Sequence, residues 1–184
     1  WPGERASVCT IQNSVRDSGV PLAAYLNGAR LRPAAGAPPP PPIQLNAACG
    51  SLAGLREGDL RAACSAGFKV LKLKLGVLAL DEEIALLRQF ATVLPPACQL
   101  RLDANRAWPA ATAARFLQAC ADLPIEMVEE PLANPDIDRL QALQDNTTIA
   151  IAVDESIRGF DGQALLTRRA VRRLVIKPPR HGGL

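Results

Sequence analysis

The sequence predicts an α/β chain folded as a (β/α) barrel, here carrying about six of its strands. Three observations point there. Short apolar runs alternate with helical stretches from residue 43 onward. From the second run onward, each ends in a charged residue that its apolar body does not lead one to expect. Near the ends of these runs a charged set (Lys72 and Lys74, Asp103, Glu129, Asp154, Lys177) takes one parity and the bulky apolar residues the other.

The elements follow in order. Residues 1–30 carry a helical pattern, "ASVCTIQNSVRDSGVPLAAYLNG". Residues 31–42 hold "RPAAGAPPPPP", whose consecutive prolines can join neither a helix nor a central strand. They favour extended polyproline geometry, so a linker or surface arm is expected, with a docking segment as the lesser reading. Apolar runs then appear at 43–49, 69–76, 99–105, 125–131, 149–156 and 173–178. Helical stretches lie between them, at about 55–66, 80–93, 109–122, 134–145 and 160–170. Asp81 is placed to cap the second of these, and Pro109 suits the first turn of the third. Strands alternating with helices imply parallel pairing through crossovers.

Parity chooses between an open sheet and a barrel. Side chains alternate across a strand with period two. Lys72 and Lys74 therefore oppose Leu71, Leu73 and Leu75. Arg101 and Asp103 oppose Leu100 and Leu102, Glu129 opposes Val128, Asp154 opposes Ile151 and Val153, and Lys177 opposes Leu174 and Ile176. An open sheet covered by helices on both sides wants two apolar faces. A barrel wants an apolar outer face and tolerates charge inside near its C-terminal mouth, where active sites lie. From Lys74 the charged positions recur in steps of roughly 25 residues, one βα unit each.

The chain has 184 residues, 48% hydrophobic and 21% charged, with a formal net charge of +3. Aromatics are only 4%, too few for the stacking platforms of nucleic-acid binders. No apolar run reaches the roughly 18 residues of a membrane span, and no signal peptide is visible. The five cysteines, Cys9, Cys49, Cys64, Cys98 and Cys120, form no C-x-x-C pair. They read as reduced, small core residues of a cytoplasmic protein.

Three converging carboxylates, Asp103, Glu129 and Asp154, make a hard-oxygen site suited to Mg2+. The only histidine, His181, reads as a loop residue, which excludes a histidine-rich zinc site. Lysines on both flanks, Lys74 and Lys177, suggest proton abstraction next to a carboxylate, with the metal stabilising the enediolate. Lys72, one pleat from Lys74, supplies like charge that lowers the Lys74 pKa and readies it as a base. The expected partner is a small-molecule carboxylate, with no nucleic acid and no membrane. Any one of these residues alone would read as a cap or a solvated charge. Matched parity over five consecutive strands makes that reading improbable.

In order, "KLK" (72–74), "LDAN" (102–105), "VEEP" (128–131), "VDES" (153–156) and "IKP" (176–178) resemble the enolase superfamily, in its muconate-lactonising branch. "LRLDANRAW" followed by "VEEP" is most similar to the o-succinylbenzoate synthase family. The resemblance implies a TIM-type (β/α) barrel at 43–184, truncated to about six strands. It also implies the end of an N-terminal capping domain at 1–30, with 31–42 as linker. It implies a Mg2+-dependent lyase that dehydrates a cyclohexadiene carboxylate in menaquinone or phylloquinone synthesis. Lys74 would take the α-proton and Lys177 would stabilise the enediolate from the opposite face. Asp103, Glu129 and Asp154 would hold the metal, supported by Asn105 and Arg101. Glu130 and Glu155, adjacent to the ring but of the wrong parity, read from alternation alone as groups that back the ligands or face the helices. The same scaffold serves dipeptide epimerases and N-acylamino acid racemases, which use the lysine pair for proton removal and return. A non-catalytic binding module is the remaining reading. The chain is expected to be a fragment, marginal or inactive in isolation.

Overall fold

A computed structural model describes residues 45–177. The segments expected at 1–30 and 31–42, with Cys9 and His181, lie outside the described residues. Six strands form one sheet: β1 (Asn46–Ser51), β2 (Val70–Lys74), β3 (Gln99–Asp103), β4 (Ile125–Glu129), β5 (Ala150–Val153) and β6 (Arg173–Leu174). All five pairings are parallel and the spatial order is β1 to β6 without a skip. A doubly wound sheet reverses its strand order at a switch point. This sheet does not, as the barrel reading requires. Of the described residues, those up to Val175 form one compact unit, and Ile176 and Lys177 fall outside it.

The connecting helices are α1 (Glu57–Ser65), α2 (Leu80–Ala91), α3 (Ala110–Ala119), α4 (Ile137–Asp145) and α5 (Gly162–Thr167). Short 3-10 turns follow β1 at Leu52–Gly54 and β5 at Glu155–Gly159. Three helices turn a stripe inward at helical spacing, Leu87 and Phe90 from α2, Ala113, Phe116 and Leu117 from α3, and Leu140 and Leu143 from α4, while α1 and α5 bury Leu60 and Leu165. They meet Leu71, Leu73, Leu100, Leu102, Val128, Ile151 and Val153 in one core, where Cys120 is also buried. Each such apolar side chain contributes roughly 1.5–3 kcal/mol by leaving water. A second, smaller apolar cluster of Met127, Ala150 and Ala152 lies apart from it, on the other sheet face. The larger cluster is the apolar outer layer that parity predicted; the smaller one lines the face that carries Glu129.

Helix starts differ slightly from expectation. α4 and α5 begin on true caps, with Asp136 accepting from the Arg139 N–H at 2.7 Å and Asp161 from the Gln163 N–H at 2.9 Å. Asp81 does not cap α2. That helix begins one residue earlier, at Leu80, and Asp81 sits in its first turn, paired with Arg115. Pro109 precedes α3 rather than opening it, because its extended ψ of 156° places it just outside the first turn.

β4 carries an irregularity that matters for the site. Leu100 pairs with Ile125, but Arg101 pairs with Met127, so Glu126 is an extra residue with no opposite number. Ile125 consequently joins the helix-side core, while Met127 lies in the inner layer.

Candidate active site at the strand ends

Lys74, Asp103 and Glu129 are in register across β2, β3 and β4, at the last residue of each strand. Asp154 follows β5 by one residue. Glu129 and Asp154 are buried, Asp103 and Lys72 are half-buried, and Lys74 is exposed. Lys177 stands three residues past β6 and is half-buried.

Lys72 is tied to two of the acids. Its Nζ lies 2.6 Å from Glu129 Oε2 and 3.1 Å from Asp103 Oδ2. Burial works against its charge, but the hydrogen bond and charge of Glu129, joined by the Asp103 carboxylate, outweigh it. The ammonium is held above the ordinary lysine range. The sequence reading cast Lys72 as a free positive neighbour of Lys74, whereas the structure spends that charge on the carboxylates.

Glu129 is the electrostatic centre. Burial, countered by the Lys72 hydrogen bond and charge and reinforced by the negative charges of Asp103 and Asp154, pushes its carboxyl up to about 7. Asp103 and Asp154 thus both act on Glu129, so the three acids meet at one place where negative charge accumulates. That is the condition a divalent cation relieves, and the all-oxygen donor set fits Mg2+. As the side chains stand, no group of three His, Cys, Asp or Glu among the described residues is gathered so as to hold a metal ion. The Lys72 ammonium contacts two of the three acids instead.

Asn105 supports Asp103 through its backbone, its N–H donating to Asp103 Oδ1 at 3.1 Å. Its backbone is left-handed, at φ 49°, so the chain turns sharply just past the strand end. Arg101 plays a different part from the one expected. Its guanidinium forks onto Glu126, at 2.7 and 3.2 Å, and donates to Asn46 Oδ1 at 3.2 Å. The β4 irregularity brings Glu126 to it.

Two further acids organise the rim: Glu83, which the sequence reading did not single out, and Glu130, which parity set beside the ring as a supporting or helix-facing group. Glu83, buried in the first turn of α2, accepts from the N–H groups of Gly76, Val77 and Leu78 at 2.7, 3.1 and 3.3 Å, fixing the loop after Lys74. Gly76 adopts φ +82°, and a Cβ there would collide with Ala107 Cβ. Glu130, also buried, accepts from the backbone at Asp154 and from Ser156. Its off-parity position beside Glu129 was the available signal.

The family model described as "Enolase C-terminal domain-like" matches residues 57–184. An o-succinylbenzoate synthase of Thermosynechococcus vestitus is 42% identical over 94 residues, covering 50% of this chain and 29% of that protein. A hydrophobic dipeptide epimerase of Enterococcus faecalis is 34% identical over 121 residues, covering 64% of this chain and 33% of that protein. Among solved structures, o-succinylbenzoate synthase from Thermosynechococcus elongatus, complexed with Mg in the active site, is similar with TM-score 0.55 and 32% identity. That match covers 73% of this chain and 51% of the other. The chain spans about a third of the length of the curated relatives it matches.

Proposed function

This chain belongs to the enolase C-terminal domain-like family, and on that footing we propose that it supplies the catalytic face of a Mg2+-dependent o-succinylbenzoate synthase. In this reading 1–30 closes a capping domain, 31–42 links it, and 43–184 is the partial barrel of a cytoplasmic lyase. The observation that carries the proposal is Glu129, buried at a strand end with Asp103, Asp154 and Lys72 acting on it and with Lys74 two strands away in register.

Asp103, Glu129 and Asp154 would hold Mg2+. When bound, the ion supplies Lewis-acid stabilisation of charge developing on a substrate carboxylate. Lys74, exposed at the end of β2, takes the α-proton of a cyclohexadiene carboxylate. The C–H pair becomes the new ring double bond as the C–O bond to the hydroxyl breaks. The protonated Lys74 then donates to the departing hydroxyl, which leaves as water. Lys177 keeps the role the resemblance implies for it, stabilisation of the developing charge. Lys72 lies against Glu129 and Asp103, where its ammonium offsets part of the burial of Glu129, and Glu83 holds the loop beyond Lys74 in place.

A second reading is dipeptide epimerisation on the same residues. The longer match to the hydrophobic dipeptide epimerase supports it. The full-length protein, assayed in deuterated water with both substrate classes, separates the two. Dehydration that falls by about 10²–10⁴-fold in Lys74→Ala is expected. Deuterated, epimerised dipeptide without dehydration would sink the synthase reading. Failure of the folded protein to bind Mg2+ would favour a non-catalytic module.

A further inference from the structure

We propose that Glu130 is a positioning residue that fixes the place of Asp154 and thereby sets how tightly the site holds a divalent cation. The inference rests on reading Asp154 as a metal ligand.

Glu130 follows Glu129 directly, and its φ of 48° turns the chain into the left-handed region that non-glycine residues rarely occupy. Such a conformation costs on the order of 1–3 kcal/mol and persists only where surroundings over-determine it. Here they do. The Glu130 N–H donates to Ala152 O at 2.9 Å, and its carbonyl accepts from the Arg106 N–H at 2.7 Å. The side chain, only 2% exposed, then reaches the chain beyond β5. Oε1 accepts from the N–H of Asp154 at 2.7 Å and of Ser156 at 2.9 Å, and Oε2 accepts from the Ser156 hydroxyl at 2.6 Å.

That region needs a clamp. β5 ends at Val153, and Asp154 leaves strand geometry at φ −122°, ψ −92° before the 3-10 turn begins. Its N–H and that of Ser156 have left the ladder, and one carboxylate satisfies both. The adjacent acids Glu129 and Glu130 therefore divide the labour. The first faces the site, and the second holds the backbone from which the next acid projects. Losing an outer partner of a metal ligand weakens metal affinity by about 10–100-fold.

The test is calorimetric titration of the full-length protein with Mg2+, paired with melting of the metal-free form. Glu130→Ala should weaken binding by about 10–100-fold. Glu130→Gln keeps the reach: its amide oxygen can accept both N–H groups and its NH2 can donate to the Ser156 hydroxyl. Binding within about threefold of wild type is expected for it. Glu130→Asp keeps the charge and loses the reach, so it should bind Mg2+ more weakly than Glu130→Gln. The Asp/Gln comparison decides the matter even where Glu130→Ala does not fold. The reverse order, or wild-type affinity in a folded Glu130→Ala, overturns the proposal. A residue that only stabilises the fold would lower the melting temperature and leave the affinity of the folded protein alone. Asp154→Ala separates the premises. If it loses Mg2+ while the Glu130 variants keep it, only the clamp fails. If Asp154→Ala binds as wild type does, the ligand reading fails and the clamp with it.

Discussion

Lowering the pH from 8 to 6 should loosen Mg2+ by about tenfold. Glu129 titrates at about 7, so roughly nine in ten of its carboxyls are ionised at pH 8 and roughly one in ten at pH 6. A carboxylate ligand must be ionised, so the proton and the cation compete. Calorimetry at both pH values measures the Kd. At pH 6 the binding heat should also vary with the buffer's ionisation enthalpy, reporting release of about one proton. In the metal-free protein the same raised pKa has a second effect. Its favourable contribution is fully present below about pH 4.5 and is lost as pH rises through about 7, an effect on the order of 3 kcal/mol. Urea titrations without metal should therefore show stability falling across that window from this group. A Kd unchanged within about twofold from pH 8 to 6 would refute the reasoning, because it would remove Glu129 from the ligand set or its carboxyl from the raised range.

Other outcomes follow from the same geometry. Lys72→Met leaves Glu129 and Asp103 without their ammonium and should cost about 1–3 kcal/mol at pH 8 in urea titration without metal, discounted because Lys72 is a quarter exposed. The loss should shrink at pH 6 or with saturating Mg2+. Gly76→Ala drives a methyl into Ala107 and strains φ +82°, and should cost at least about 1–3 kcal/mol by the same measurement. Phe116→Ala, at a fully buried ring tilted 34° against Trp108 with centroids 4.5 Å apart, should cost about 3–5 kcal/mol without altering the pH profile of Mg2+ binding in the folded protein.

Much of the scaffold was legible because it rests on period-two alternation. Leu71 against Lys72, Leu102 against Asp103 and Val128 against Glu129 each required only counting, and the core composition agrees. What escaped depends on backbone detail that alternation does not encode. Nothing in "VEEP" announces that Glu130 sits at positive φ and reaches Asp154. Arg101 was expected near Asp103. The irregular pairing of β4 gave it Glu126 instead. Lys72 was read by its sequence neighbour, but its long side chain found acids on two other strands. Asp81 was read as a cap by type, and the helix started two residues too soon for it, with Ala79 at the cap position.

The supernumerary Glu126 works as a phase shifter. Counted straight along the strand, Ile125 would share the side of Glu129 and its bulky side chain would project into the lumen, while Glu126 would be driven among apolar helices. One additional residue lets an aliphatic start and an acidic finish coexist in a five-residue segment. A deletion there would throw one end or the other out of step. Any alignment that closes the gap silently will misassign which residues look inward on the upstream half.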